Sequence, residues 1–399
     1  MRAGKRVVPS VLFACVFLFV YTEVLLSPFY PQFFQKVFGV QEFSFTGFYI
    51  FVCRLTVVIS SPIWGFLARK VDGKRLLIIG QIGTALSCAL MALSKSEHQF
   101  LMFSILLLAF KSSYLLLYTI MIQAAGNERR KVTGTYHAVF QSAVIASTIT
   151  SGWVINLAHP LQVFWWIALF DLLQGIVCFA VFRRGFAKET LLEPVAEQTE
   201  KKGEGDIAFL VKMALLIFTL HFSVNIIRPF FTVFTEETFD MTSVGGSFLF
   251  LIPSLMAVLA LPAIKRLSMG RLHTLYKASG LLLFIGLLLQ GISSDIGWFI
   301  LSRCLFGFFL AICQASLDIY LFQRSHHTHY HYSILSSFQN LGLLLAPISA
   351  LVLVEDYSLS SPFVAASFIF VIHLIIAAAT MYMRNRSEEI STEAKTKGG

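Results

Sequence analysis

Ser27-Pro28-Phe29-Tyr30-Pro31-Gln32-Phe33-Phe34 has a counterpart 201 positions later, Arg228-Pro229-Phe230-Phe231-Thr232-Val233-Phe234-Thr235. Two further echoes keep nearly the same offset. Phe140-Gln141 returns as Phe338-Gln339 after 198 positions. Leu67-Ala68-Arg69-Lys70-Val71-Asp72-Gly73-Lys74 returns, more weakly, as Ile264-Lys265-Arg266-Leu267-Ser268-Met269-Gly270-Arg271 after 197. Each echo alone could be chance; a shared offset of about half of 399 residues reads as two structural repeats. In a strongly apolar chain that is the layout of a secondary transporter.

The chain is 56% hydrophobic and 13% charged, with 40 phenylalanines. A soluble protein of this length could not solvate such a surface. Twelve apolar runs reach the roughly 20 residues that a bilayer requires: 8–31, 45–68, 75–94, 99–124, 133–157, 161–183, 207–234, 244–264, 272–293, 296–323, 331–354 and 361–383. They lack the alternation of barrel strands, so the expected fold is an all-α membrane protein with twelve transmembrane helices in two pseudo-symmetric six-helix bundles. The expected organisation is a first bundle over 1–183, a polar cytoplasmic linker over 184–206, a second bundle over 207–384 and a disordered tail over 385–399. The first run is too long for a signal peptide and no small-residue cleavage site follows it, so it reads as a retained helix.

A net charge of +9 fits a nucleic-acid partner by magnitude, but its distribution excludes one. Lys and Arg collect where the chain is cytoplasmic if the N-terminus lies inside: Lys5 and Arg6, Arg69 to Arg75, Arg129 to Lys131, Arg183 and Arg184, Lys265 and Arg266, Arg384 and Arg386. The outer loops hold Glu42, Glu97, Glu236, Glu237, Asp240 and Asp295. This positive-inside pattern places both termini of a multi-pass protein in the cytoplasm, and the membrane expected is the plasma (bacterial inner) membrane. The six cysteines lie within apolar runs and read as small core residues. His326, His327, His329 and His331 read as a solvated loop ahead of a metal site. No metal or cofactor is expected. The chain has no Gly-x-x-x-x-Gly-Lys-Ser/Thr, no His-Glu-x-x-His and no Gly-x-Ser-x-Gly, so it reads neither as an ATP-driven pump nor as an enzyme.

Gly65-Phe66-Leu67-Ala68-Arg69-Lys70-Val71-Asp72-Gly73-Lys74-Arg75 resembles the gating-loop signature of the major facilitator superfamily, Gly-x-Leu-Ala-Asp-Arg-x-Gly-Arg-Lys. Gly65, Leu67, Ala68, Lys70 and Lys74 fit; Arg69 stands where the family has Asp, and Asp72 where it has its second Gly. The resemblance implies a gating element of Gly65, Arg69, Lys70, Asp72, Lys74 and Arg75 with its usual charge inverted, Asp72 being a possible substitute three residues on. Arg303-x-x-x-Gly307 looks like the family's span-four signature but stands in the symmetry-related span ten. Pro28 to Pro31 resembles the Pro-x-x-Pro end of span one in proton-linked efflux members. Gly342 to Pro347 is similar to the antiporter motif, in span eleven; its span-five counterpart, Ala146 to Gly152, has no Gly-Pro.

Ionisable residues inside spans cost about 2.5–3.5 kcal/mol on the insertion scale and mark function by default. At about 1.5 Å per residue, Glu23, Arg54 and Lys111 all fall roughly 20–23 Å from the cytoplasmic surface. One shared depth predicts a cluster, which the resemblance would set on or beside the central cavity. Glu23 is then the proton carrier, exchanging Lys111, Arg54, water and substrate as partners; a static ion triad is the alternative. Arg54 and Lys111 suit an anionic substrate, or else only neutralise Glu23. Arg228 and Arg303 attract an anion or snorkel to headgroups. His221, on one face with Asn225, carries a proton or is a bonded core residue. Gln141 and Gln339, with Asn340, suit substrate hydrogen bonds or interhelical contacts equally. Asp171 reads as a structural partner and His373 as core.

These residues predict a monomeric secondary active transporter, partnered by the bilayer, protons and a small-molecule substrate. The substrate is an organic anion such as a carboxylate metabolite or siderophore, with export placed ahead of uptake by proton symport. The rivals are multidrug efflux and a non-transporting receptor of the same fold.

Overall fold

The computed structural model describes residues 4–68, 70–114, 116–117, 121, 129–183, 204–265, 272–324 and 328–397. Every element among them is helical. In chain order the helices are α1 (Gly4–Val24), α2 (Tyr30–Phe38), α3 (Phe43–Leu67), α4 (Gly73–Ala92), α5 (Glu97–Lys111), α6 (Arg129–Asn156), α7 (Val163–Arg183), α8 (Glu204–Asn225), α9 (Phe231–Phe239), α10 (Ser243–Lys265), α11 (Leu272–Ile292), α12 (Ile296–Arg324), α13 (Thr328–Asp356) and α14 (Ser361–Lys397). Among the described residues, ten stretches are long and apolar enough to cross a membrane. The two other expected spans carry the shorter α5 and the apolar part of α8, Leu210–Asn225. Each of the twelve predicted spans therefore holds a helix.

The chain divides into two compact units: Met1–Gln198 with Met241–Phe250, and Thr199–Asp240 with Leu251–Gly399. Most of the predicted linker, 184–203, lies outside the described residues, as do Arg69, His326 and His327. The tail differs from expectation, because α14 continues to Lys397. Its residues there include Arg386, Glu388, Glu389, Glu393, Ala394 and Lys395, all good helix formers, and no Pro or Gly lies between Pro362 and Gly398.

The quoted repeat sets matching local structure in the two units. Span one breaks after Val24, passes through a 3-10 turn at Ser27–Phe29 with Pro28 near its start, and restarts as α2 with Pro31 in the first turn. Proline lacks the N–H that a helix interior needs but fits a first turn. Span seven breaks likewise after Asn225 and restarts as α9 behind Pro229. Both short helices end in a left-handed residue, Gly39 (φ 74°) and, 201 positions on, Asp240 (φ 52°). Only glycine and, less readily, Asn or Asp visit that region.

Aromatic packing repeats too. In the first unit Phe33, Phe38, Phe100 and Phe164 form a quartet, with Phe100 5.1 Å from Phe33, 5.7 Å from Phe38 and 5.3 Å from Phe164 between ring centroids. In the second, Phe234, Phe239, Phe299 and Phe363 do the same, with Phe299 at 5.6, 4.9 and 6.2 Å from the other three. Phe33, Phe100, Phe299 and Phe363 are at most 1% exposed. Ring pairs at these separations contribute about 0.5–1.5 kcal/mol each beyond burial.

α7 shows why the exterior must be lipid. Trp165, Trp166, Leu169, Leu172, Leu173, Ile176 and Phe179 are exposed. Phe164, Ile167, Ala168, Asp171, Gln174 and Cys178 are buried at helical spacing. A soluble helix points its apolar stripe inward; this one carries its polar side chains inward and its apolar ones out.

Candidate functional site

In the first unit Glu23 on α1 and Arg54 on α3 are both exposed. Both act electrostatically on the Tyr30 phenol, which also faces Tyr49 at 4.9 Å between ring centroids. The restart of the chain at Tyr30 after the Pro28 turn is what brings that hydroxyl to the two charges. Tyr49 is anchored in turn by its hydroxyl, which donates to Ser104 Oγ at 3.0 Å.

Lys111 differs from the expected triad. It is 5% exposed, donates to Thr22 Oγ1 at 3.3 Å and lies over the Phe19 ring at 4.9 Å. Among the described residues, Glu23, Arg54 and Lys111 form no ion pair with one another. The carboxylate that feels the Lys111 charge is Asp171 of α7. Equal depth does not fix direction around a helix: Thr22 and Glu23 are neighbours in sequence but point about 100° apart.

α1 is held to α6 through Tyr21. Its hydroxyl is 2.8 Å from Thr150 Oγ1, and its carbonyl accepts from Ser147 Oγ at 2.7 Å. Gln141, farther along α6, is exposed.

The second unit carries its own polar group. Asn225 Nδ2 donates to the His221 carbonyl at 2.7 Å, closing the end of α8 before the Pro229 break. Arg228 is exposed, and its charge acts on both His221 and Arg303. Arg303 is neither snorkelling nor exposed. It is 4% exposed, donates to Gln290 Oε1 at 3.0 Å and stacks over Phe231 at 4.3 Å. Gln339 is half-buried and Asn340 exposed on α13. At Gly342 that helix approaches α8 so closely that a Cβ would stand 3.1 Å from the Phe218 carbonyl and from the Phe222 nitrogen. His373 is core, as expected: Thr219 Oγ1 sits 2.9 Å from its Nδ1 and the Tyr276 hydroxyl 2.6 Å from its Nε2.

In the gating loop, Asp72 accepts the Lys74 backbone N–H at 3.2 Å and caps α4. Lys70 is exposed and rests over Phe66 at 4.7 Å, Arg75 is exposed, and the Gly65 Cα has nothing within 4 Å of a Cβ position. Losing an Asp N-cap costs about 1 kcal/mol, whereas Asn caps nearly as well. Thermal unfolding is therefore expected to separate Asp72→Ala from wild type but not Asp72→Asn; equal melting of all three would refute the cap.

Sequence reasoning missed the setting of Tyr30 and of Asp171. The signal for Tyr30 was the pair of flanking prolines; for Asp171 it was Gln174 one turn on, which gives α7 a polar stripe.

Comparison with known proteins agrees with this architecture. The family model of the Major Facilitator Superfamily matches residues 12–268 and 213–398. No curated protein sequence matches the chain. Among solved structures, the human organic anion transporter MFSD10 (TETRAN) superposes with a TM-score of 0.66 at 17% identity, covering 94% of this chain and 99% of its own. The nucleoside transporter NupG superposes with a TM-score of 0.69 at 14% identity, covering 94% of this chain and 98% of its own. Such identities carry the fold alone; the family follows from the sequence model, which runs through both repeats. The chain belongs to the major facilitator superfamily of membrane transporters.

Proposed function

We propose that the protein is a proton-coupled secondary transporter that moves a small organic anion across the bacterial inner membrane by alternating access, in the direction of export. The observation that carries the reading is the first-unit charge set. Glu23 and Arg54 are exposed around one phenol without an ion pair, and Lys111 lies on the same span set. Arg54, exposed and in no ion pair with Glu23, offers a guanidinium to an anionic solute. A carboxylate not locked in an ion pair is free to take a proton and to give it up. Gln141 offers the first unit a hydrogen-bonding group for a solute, and Asn225, Arg228, Gln339 and Asn340 offer the second unit its own. His221 is a second proton carrier, and Arg303 orders the site through Phe231. The human relative named for organic anion transport is the same in fold, and the solute class is proposed here on charge. The protein acts as a monomer with both termini cytoplasmic, and Asp72 takes over the helix-end role of the family's loop Asp.

Proteoliposomes enclosing a pH-sensitive dye test this directly, with organic anions and lipophilic cations added to wild type and to Glu23→Gln. The expected result is an anion-driven proton flux that the mutant loses by tenfold or more, its sign giving antiport. A flux of opposite sign assigns uptake by symport. A flux driven by cations sinks the anion reading in favour of multidrug efflux, and binding without flux sinks transport itself.

A further inference from the structure

The inward face of α7 carries a site that this function does not use. Asp171 is 2% exposed; the Thr84 hydroxyl is a hydrogen-bond partner of its carboxyl, and its Oδ2 has none. Three more buried oxygens in the same seam lack partners: Gln81 Oε1, Ser113 Oγ and Gln174 Oε1. Their residues are 0–3% exposed.

The seam is continuous. Gln174 Nε2 donates to the Tyr114 hydroxyl at 2.9 Å and to the Cys15 carbonyl at 3.4 Å. Gln81 Nε2 reaches Cys178 Sγ at 3.4 Å, and its Oε1 lies 3.6 Å from where a Gly175 Cβ would stand. Ser113 packs on Gly80, whose Cβ would meet the serine Cβ at 2.6 Å. Asp171 acts electrostatically on Tyr114 and on Cys88. The titratable groups facing the site are thus Cys15 of α1, Cys88 of α4, Lys111 and Tyr114 at the end of α5, and Cys178 on α7 itself.

Asp171 Oδ2 and the two glutamine oxygens carry no hydrogen of their own, so what these three lack is positive charge or a donor; the Ser113 hydroxyl can donate as well as accept. Lys111 is the cation whose field reaches Asp171, yet its hydrogen bond goes to Thr22. An ionised carboxylate buried this deeply with an unpaired oxygen costs several kcal/mol. The arrangement fits a carboxyl group that already holds its own small cation.

The related positions of the second unit show the same seam closed. At the 199-residue offset that links Phe100 to Phe299, Asp171 corresponds to Phe370 and Gln174 to His373. There both ring nitrogens of His373 have partners, and neither Thr219 nor Tyr276 has an unmet polar atom. A buried carboxyl at this position is therefore not a demand of the fold, since Phe370 stands there in the second unit, whose own unmet oxygen among the described residues is Ser316 Oγ.

We propose that Asp171, bonded by Thr84 and facing Tyr114 and Lys111 in this seam, is a small-cation site in the first unit, and that the cation it holds is a proton. Release passes the proton from Asp171 to bulk water and leaves a carboxylate in the field of Lys111. That ammonium is bonded to α1 one residue from Glu23, so occupancy of the site bears on the helix that carries the proposed coupling residue. The site stands on its own geometry, whether or not Glu23 couples transport.

Infrared spectroscopy of the full-length protein in lipid, in sodium-free buffer, reads the proton itself. Wild type is expected to show a carboxylic-acid C=O band that responds to pH and to H/D exchange. Asp171→Asn, with unchanged circular dichroism and elution, is expected to lose that band; Asp171→Glu restores one at shifted frequency, and Glu23→Gln keeps the original. Survival of every wild-type carboxylic-acid band in Asp171→Asn overturns the proposal, while loss of the band in Glu23→Gln alone moves the proton to Glu23. Removal of the band by sodium at fixed pH, in wild type only, overturns the proton as occupant and assigns sodium.

Discussion

Gly307→Ala is expected to destabilise the second unit by about 2–3 kcal/mol, at the upper range for overpacking. Gly307 lies on α12 where α10 passes with Pro253. A Cβ there would stand 2.6 Å from the Pro253 carbonyl oxygen and 2.9 Å from its carbonyl carbon. These are main-chain atoms, so no rotamer change relieves the clash and the two helices must part. Close approach through small residues is how membrane helices gain packing energy, since lipid solvates larger side chains as well as a protein interior does. Gly65→Ala is the control, because nothing lies within 4 Å of its Cβ position. Thermal unfolding of purified protein should show a large drop for Gly307→Ala and little change for Gly65→Ala. If Gly307→Ala melts with wild type, the contact with Pro253 is not as close as described.

Phe100→Ala and Phe299→Ala are expected to cost about 3 kcal/mol each, the lower end for deleting a buried Phe. The lower end applies because lipid removes part of the transfer term and leaves mainly lost packing. Each ring is fully buried at the centre of its quartet. Phe100 also faces Phe34 at 5.8 Å and Tyr49 at 6.0 Å, and Phe299 faces Phe231 at 6.0 Å. Because the quartets match position by position, the two variants should lose stability by similar amounts in the same unfolding assay. A full cost for one and none for the other would show that the matched geometry hides unequal packing.

The fold was largely legible in the sequence. Apolar runs of bilayer length become helices because lipid leaves the backbone no other way to satisfy its hydrogen bonds. Pro28, Pro31 and Pro229 mark the breaks in spans one and seven because their missing N–H groups act locally. The quartets were not legible. Each joins three segments some sixty residues apart, and 40 phenylalanines give no sign of which four meet. Arg303 and Gly307 were read as a signature, but their surroundings are packing: Gln290 and Phe231 hold one, Pro253 crosses the other. The charges were half legible. Depth along a helix follows from counting residues, whereas direction around it depends on neighbours that only folding supplies. That is why a shared depth pairs Lys111 with Glu23 while the fold bonds it to Thr22, within the field of Asp171.

The paired quartets also carry history. Two sets of four aromatic rings, each drawn from equivalent segments about 200 residues apart, would hardly arise independently. A six-helix ancestor that already owned the quartet, duplicated and fused, accounts for both. On that view Asp171 and Phe370 descend from one codon, as do Gln174 and His373. The copies then parted ways: one sealed its seam with a fully bonded imidazole, and the other kept, or acquired, a carboxyl group in want of a partner.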